Sequence, residues 1–339
     1  MDDRPLVAIT IGDPAGVGPE IVVKALGRPE VFRGVRPLVV GDRGVLEQAQ
    51  RWCGLSLTIR PIQRSAEGLY QPGVLDLIDV GAVDIGKLRV GQLQAAGGQA
   101  AYDYLYRAIE MAMAGEVEGI ATAPINKEAL RAAGVPFLDH TEMLASLTQS
   151  HHPLTMFVVR NLRVFFLTRH VPLARACNQI TYSRVLDGLL LVDAALRLFG
   201  FAQARVAVAA LNPHGGEGGL LGDEEKVQIE PAIAEARAQG VNAFGPVPAD
   251  SVFHLALKGS FDAVLSLYHD QGHIAAKTLD FERTVAITAG LPFIRSSVDH
   301  GTAFDIAGRG IASSVSMEEA IKAAGDYALR LRQSAAQST

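Results

Sequence analysis

Short apolar runs alternate with longer stretches of helical periodicity almost from one end of the chain to the other. That alternation predicts β–α repetition and a largely parallel sheet. "LVAITIG" (6–12), "PLVVG" (37–41), "VLDLIDV" (74–80) and "EGIATAP" (118–124) read as strands. Between the last two, the alanine-rich stretch 90–116 predicts one long helix, weakened at Gly97 and Gly98, because glycine gives up the most backbone freedom on entering a helix. In the centre, "LTMFVV" (154–159) and "RVFFLT" (163–168) follow one another closely enough to form a hairpin, which makes the sheet mixed. "RVAVAAL" (205–211) and "DAVLSLY" (262–268) are further strands, with helices near 173–199 and 224–239. The last amphipathic segment places Ser316 as a helix N-cap with Glu319 at capping-box spacing.

At 339 residues the chain is too long for one small core, so two α/β lobes are expected. The first takes residues 1–135 plus 290–339. The second takes 136–289, with much of the ligand site and any dimer contacts. No internal repeat or linker separates them.

Composition narrows the function more than the fold. Apolar residues make up 49% of the chain and aromatic ones only 6%, so aliphatic side chains fill the core, as in buried parallel sheets. Lysine and arginine total 31 against 36 acidic residues, a net charge of −5, which argues against a nucleic-acid partner. The opening "MDDRPLVAIT" lacks the features of a secretory or transit signal. No apolar stretch approaches the ~18 residues needed to span a bilayer, so a soluble, cytoplasmic protein without membrane contacts is expected. Cys53 and Cys177 lie far apart without a CxxC partner, so any metal must be held by histidines and carboxylates.

Candidate chemistry collects just beyond the strands, where ligands bind in open α/β sheets. "IGDPAGVGPE", "TAPINKEAL", "LTRHVPL", "LNPHGGEGG" and "LYHDQGHIAAK" carry Asp13, Asn126 with Lys127, His170, His214, and His269 with Asp270. His170, His214 and His269 each sit about one residue past an apolar run. Such a histidine, taken singly, is a turn residue more often than a ligand; the threefold recurrence points to a borderline divalent ion such as zinc. "GDPAGVGPE" lacks the third glycine of a dinucleotide fingerprint, with Ile21 at that position, and reads equally well as a tight strand-to-helix turn. "DHTEML" puts His140 and Thr141 at a helix start, where free N–H groups and the helix dipole favour anions. Lys277 and Arg295 add positive charge. The plain alternatives are an N-cap at Thr141 and a surface ion pair at Arg295. Asp250 in "PADS" and Asp270 beside His269 are candidates for proton transfer or for orienting a ligand, or else turn caps.

"ITIGDPAGVGPEI", "ATAPINKEAL", "HTEML", "LNPHGGEGG", "YHDQGH" and "GLPFIRSSVDHGTAFDIAG", spread over nearly the whole chain, resemble the 4-hydroxythreonine-4-phosphate dehydrogenase family of the pyridoxal phosphate pathway. The resemblance implies a two-lobed α/β/α fold like that of isocitrate and isopropylmalate dehydrogenases, and a homodimer with the active site at the subunit interface. It also implies NAD or NADP as oxidant and a divalent metal: zinc first, with Mg, Mn or Co as alternatives. Carried over by position, His170, His214 and His269 are the metal ligands, with His269 reaching a partner's pair. His140, Thr141, Lys277 and Arg295 hold a small phosphorylated hydroxy acid, and Asp250, Asp270 and Lys277 are the catalytic candidates. Cofactor-binding residues are not assigned.

The expected reaction is oxidation of a 4-phosphorylated 3-hydroxy acid, of the 4-phosphohydroxy-L-threonine type, followed by decarboxylation of the β-keto acid. Two departures bear on the substrate. Ala286 stands where the family carries a substrate-binding asparagine, and Asp139 replaces the usual glycine before "HTE". "YHDQGHIAAK" with "HGTAFDIAG" leans towards the relatives acting on D-threonate or D-erythronate 4-phosphate, while Asp139 places an acid close to the proposed phosphate site without indicating a direction. Competing readings are a phosphotransacetylase-type acyltransferase of the same fold, a sugar-phosphate-binding protein, and a metal-dependent aldolase or hydrolase.

Overall fold

The computed structural model describes residues 2–151 and 153–337. Its strands in chain order are β1 (Leu6–Thr10), β2 (Arg36–Gly41), β3 (Thr58–Pro61), β4 (Val74–Asp79), β5 (Gly119–Thr122) and β6 (Leu154–Val159). They continue with β7 (Leu162–Phe166), β8 (Val206–Ala209), β9 (Ala243–Val247), β10 (Ala263–Ser266), β11 (Val285–Ala289) and β12 (Ile294–Val298). The chain divides into two compact units, Met1–Pro153 with Val285–Leu329, and Leu154–Thr284 with Arg330–Thr339.

In the first unit the strands run in the order β3-β4-β2-β1-β5-β12-β11. All neighbours are parallel except the β11/β12 hairpin. β1, β5, β11 and β12 are buried along their whole length; β1, β5 and β11 accordingly read as largely apolar runs rather than alternating ones, whereas β12 carries Arg295, Ser296 and Ser297. The long helix of this unit begins at Ala95, not Val90, and runs to Met113. Gly97 and Gly98 therefore lie in its first turn and do not interrupt it. A Cβ on Gly98 would stand 2.1 Å from the Ala129 carbonyl oxygen. The glycine serves close helix approach at the cost of helix propensity.

The second unit is ordered β6-β7-β10-β8-β9. β6 and β7 form the expected antiparallel hairpin, and β7, β10, β8 and β9 run parallel. The helix expected over 173–199 is two, Leu173–Asn178 and Tyr182–Leu198, the second capped by Thr181. The C-terminal helix starts at Val315. Ser314 rather than Ser316 precedes it, with its hydroxyl 2.7 Å from Glu318 Oε1. The expected lobe boundary near residue 136 falls instead at 153/154, which puts His140 and Thr141 in the first unit, and the return falls at 284/285 rather than near 290.

Candidate active site residues

In the second unit, β7, β10 and β8 are neighbours and parallel, so the three segments that follow them leave from one edge. His170 lies four residues beyond β7, His214 five beyond β8, and His269 three beyond β10. The interval is longer than the sequence pattern indicated, because each strand ends before its apolar run does. Backbone exits are tied together by side chains. Thr168 Oγ1 donates to the Leu267 carbonyl at 2.8 Å. Buried Gln271 donates to the Ala210 carbonyl at 2.8 Å while its Oε1 accepts from the Leu267 N–H at 2.8 Å. Gln271 was not singled out from sequence, although it stands between the two histidines of "HDQGH".

His269 opens the helix His269–Leu279. That helix lies close on its sheet because Gly272 has no side chain; a Cβ there would come within 2.6 Å of the Phe166 ring and 2.8 Å of Val164 Cγ1. The His269 and His170 rings are 5.8 Å apart. They line a cavity of about 610 Å³ together with Arg169, Leu173, Tyr268 and Asp270. Asp270 Oδ1 is 2.6 Å from His269 Nδ1. A carboxylate there draws the ring proton to Nδ1 and leaves Nε2 as the ligating atom. Lys277 lies eight residues along the same helix, on the stripe that includes His269 and His273, with its ammonium 5.1 Å from the Phe281 ring centroid. Asp250 is exposed in the first turn of the helix Ala249–Leu257.

His214 is exposed and held at φ 53°, and four more residues through Gly218 have positive φ. For a histidine this backbone is strained by about 1–3 kcal/mol. Buried Glu225 holds the loop in place: its Oε1 accepts from Leu211 N at 2.8 Å and Asn212 N at 2.7 Å, and its Oε2 accepts from Asn212 Nδ2 at 2.8 Å. Among the described residues no three His, Cys, Asp or Glu side chains gather at metal-binding spacing. The pair His170 and His269, with one Nδ1 locked by a carboxylate, nonetheless has the donor chemistry a borderline divalent ion takes.

The first unit carries the anion chemistry. Arg295 is not at the surface as an ion pair; it sits on β12, 5% exposed. Its guanidinium donates to Thr122 Oγ1 from Nε at 3.2 Å and from Nη2 at 2.8 Å, and from Nη1 to Thr288 Oγ1 at 3.2 Å. Among the described residues it has no ion-pair partner. Burial pulls its pKa down to about 10, against the opposing pull of Asp139. His140 opens the helix His140–Leu147, and its Nε2 is sealed from solvent without a hydrogen-bond partner. Burial first, and the Arg295 charge second, push its pKa well below the ordinary histidine value, so the ring is neutral. A buried cation beside a neutral imidazole lacking a partner is suited to a bound anion.

Asp139, not Thr141, is the N-cap, accepting from Glu142 N at 3.1 Å, while Glu142 Oε2 accepts from Leu138 N at 2.6 Å. The exchange resembles a capping box, with Glu142 reaching one residue further back than the N-cap, and it accounts for an acid at position 139. Asn126 caps the helix Lys127–Ala132, and Lys127 Nζ is 3.6 Å from Asp139 Oδ2. Asp13, beyond β1, is wholly buried. Its Oδ1 accepts from Ala15 N at 2.9 Å and its Oδ2 has no partner. Burial pushes its pKa up to about 6.

The model of the family described as "Pyridoxal phosphate biosynthetic protein PdxA" matches residues 33–324. The chain belongs to the PdxA family. Among its PdxA relatives, a Symbiobacterium thermophilum protein named "Putative D-threonate 4-phosphate dehydrogenase" is 58% identical over 98% of this chain and 99% of its own length. The crystal structure of a Klebsiella pneumoniae 4-hydroxythreonine-4-phosphate dehydrogenase is similar with TM-score 0.90 and 42% identity, covering 96% of this chain and 98% of that one. A Burkholderia phymatum enzyme of the same name has TM-score 0.86 and 43% identity over 96% and 98%. This PdxA chain is thus an oxidoreductase of a dehydrogenase family, built on a mixed, largely parallel α/β fold. Among its described residues, no helix is long and apolar enough to cross a membrane.

Proposed function

We propose that this PdxA-family chain is an NAD(P)- and divalent-metal-dependent dehydrogenase that oxidises the C3 hydroxyl of D-threonate 4-phosphate and releases carbon dioxide from the resulting β-keto acid. The observation that carries the reading is Arg295, a buried guanidinium that among the described residues is bonded by the Thr122 and Thr288 hydroxyls and by no carboxylate. A cation desolvated in this way is favourable only when an anion joins it. Arg295, with neutral His140 and with Thr141 at the helix start, holds the substrate's phosphate. Binding energy gathered on that remote group fixes the carbon that reacts.

A divalent cation held by His170, His214 and His269 would supply Lewis acidity for ionising the C3 hydroxyl and for stabilising the enolate left by decarboxylation. Asp270 keeps the His269 ring in the tautomer that ligates. Lys277 protonates or deprotonates near the reacting carbon, and Asp250 assists in proton transfer. The active form is a homodimer in which a partner completes the metal site. In support, apolar side chains flank both ligand segments at the surface: Leu220 beside the His214 loop is 78% exposed, and Ile274 on the His269 helix is 63% exposed.

Two features favour the threonate over 4-phosphohydroxy-L-threonine, which differs from it in bearing an amine at C2. The 58%-identical relative is named for the threonate, whereas the solved structures named for hydroxythreonine phosphate are 42–43% identical. The second is Ala286, which pairs with Ser297 and lies two residues from Thr288, on the same strand face as the hydroxyl that holds Arg295. An asparagine here would put an amide on the face of β11 that carries the anion cradle; alanine removes it. NADH or NADPH formation should be followed with D-threonate, D-erythronate and hydroxythreonine 4-phosphates, before and after chelation. The highest kcat/KM is expected for the threonate, with chelation abolishing turnover. No metal-dependent nicotinamide reduction with any of the three would refute the proposal.

A further inference from the structure

The second histidine of "HDQGH" has no part in the reading above, yet its ring packs face to face on that of a proposed ligand. The His273 ring stacks on His269 with centroids 3.6 Å apart and planes 13° from parallel. Its Nδ1 is 2.8 Å from the His269 carbonyl oxygen. A carbonyl only accepts, so Nδ1 carries the proton and the tautomer is fixed. Behind it, the Phe157 and Phe166 rings each lie 4.4 Å from the His273 centroid. The ring is wedged between aromatic groups and His269, and its own helix supplies the clip.

From this geometry we infer that His273 is a positioning residue that sets the plane of the His269 imidazole toward a divalent cation. Histidines at i and i+4 on a helix often ligate one ion together. Here the rings are nearly parallel and face to face, so their in-plane lone pairs run side by side and do not converge on a single point. Joint ligation is thereby excluded, and His273 is left to act through its face. Asp270 fixes the His269 ring at its Nδ1 edge; that bond still allows rotation about the axis through the contact. The flat surface of His273 removes the remaining freedom. An imidazole prealigned in this way loses less entropy on ligation, the same effect by which outer hydrogen-bond partners raise metal affinity about 10–100-fold.

The inference rests on His269 being a ligand, and the test separates the two claims. The metal-stripped full-length protein is titrated with Co2+, recording dissociation constants and the visible d–d spectrum for wild type, H273L, H273F and H269A. Leucine fills the slot without a flat face; phenylalanine restores the face but cannot donate to the carbonyl. H273L is expected to bind Co2+ at least 10-fold more weakly, with a shifted spectrum, and H273F to stay within about threefold of wild type. A purely structural role would instead lower the melting temperature of the metal-free protein and leave the Co2+ spectrum unchanged. Wild-type affinity and spectrum in H273L, or equal loss in H273L and H273F, would overturn the role of His273. Undiminished binding in H269A would overturn the ligand assignment beneath it.

Discussion

Replacing Asp13 by asparagine isolates one buried charge. Wild-type Asp13 is sealed from solvent, with one oxygen satisfied by Ala15 N and the other by nothing. Burial raises its pKa from 3.8 to about 6. An acid with a raised folded-state pKa stabilises the fold only while protonated. Below the unfolded value both states hold the proton and there is no penalty. As pH rises from about 4 to about 6, the unfolded chain ionises first and folding stability falls; above that window the whole cost is present. A shift of about 2.2 units corresponds to about 3 kcal/mol. Asparagine keeps the acceptor for Ala15 N and carries no charge. Relative to wild type it should gain about 3 kcal/mol near pH 8 but only about 1.6 near pH 5. Urea unfolding at both pH values measures the difference between those gains, about 1.4 kcal/mol, in which any constant misfit of the amide cancels. An N-variant effect that is the same at both pH values would show that Asp13 is not titrating in that window.

Other outcomes follow from the same geometry. R295M should lower kcat/KM for the phosphorylated substrate about 100-fold, chiefly through KM, since charge-assisted hydrogen bonds are lost. Its melting temperature should not fall, because the buried charge goes with them; steady-state kinetics and thermal unfolding check both. D270N should weaken Co2+ binding about 10–100-fold by freeing the His269 tautomer, read by titration of the metal-stripped protein. A286N should raise the ratio of hydroxythreonine-phosphate to threonate-phosphate turnover, and an unchanged ratio would remove Ala286 from substrate selection. E225Q should impair activity while leaving helical content intact, because Glu225 accepts both N–H groups that lead into the strained His214 loop.

How much of this was legible in sequence depended on whether function and burial pulled the same way. β7, β8 and β10 are short, largely apolar runs, so their exits, and the histidines beyond them, stood out. β12 was missed as a strand because it reads Ile-Arg-Ser-Ser-Val; Arg295, Ser296 and Ser297 break the apolar pattern that marks a buried strand. The same conflict hid the burial of Arg295, which looks like a surface cation until the Thr122 and Thr288 hydroxyls are seen around it. The Asp139 N-cap is legible in "DHTE" from an acid three residues before Glu142, although Thr141, already inside the helix that was correctly placed at His140, was the cap considered. Gln271 and Glu225 could not be found from one sequence. Their role is to satisfy backbone groups from separate segments, and only the fold brings those segments together.

The two units divide the electrostatic work by sign. Residues of the first unit bury a guanidinium that, among the described residues, pairs with no carboxylate and feels only the more distant Asp139, with a neutral imidazole nearby, so this part of the chain is suited to an incoming anion. Residues of the second unit offer imidazole nitrogens, with Asp270 adding negative charge behind one of them, so this part is stabilised by a cation. A ligand that is only a phosphate would leave the imidazoles idle, and a bare metal would leave Arg295 without a counter-charge. The proposed phosphorylated hydroxy acid carries a group suited to each demand, a phosphate for a guanidinium and a metal-chelating hydroxyl for imidazole-held metal.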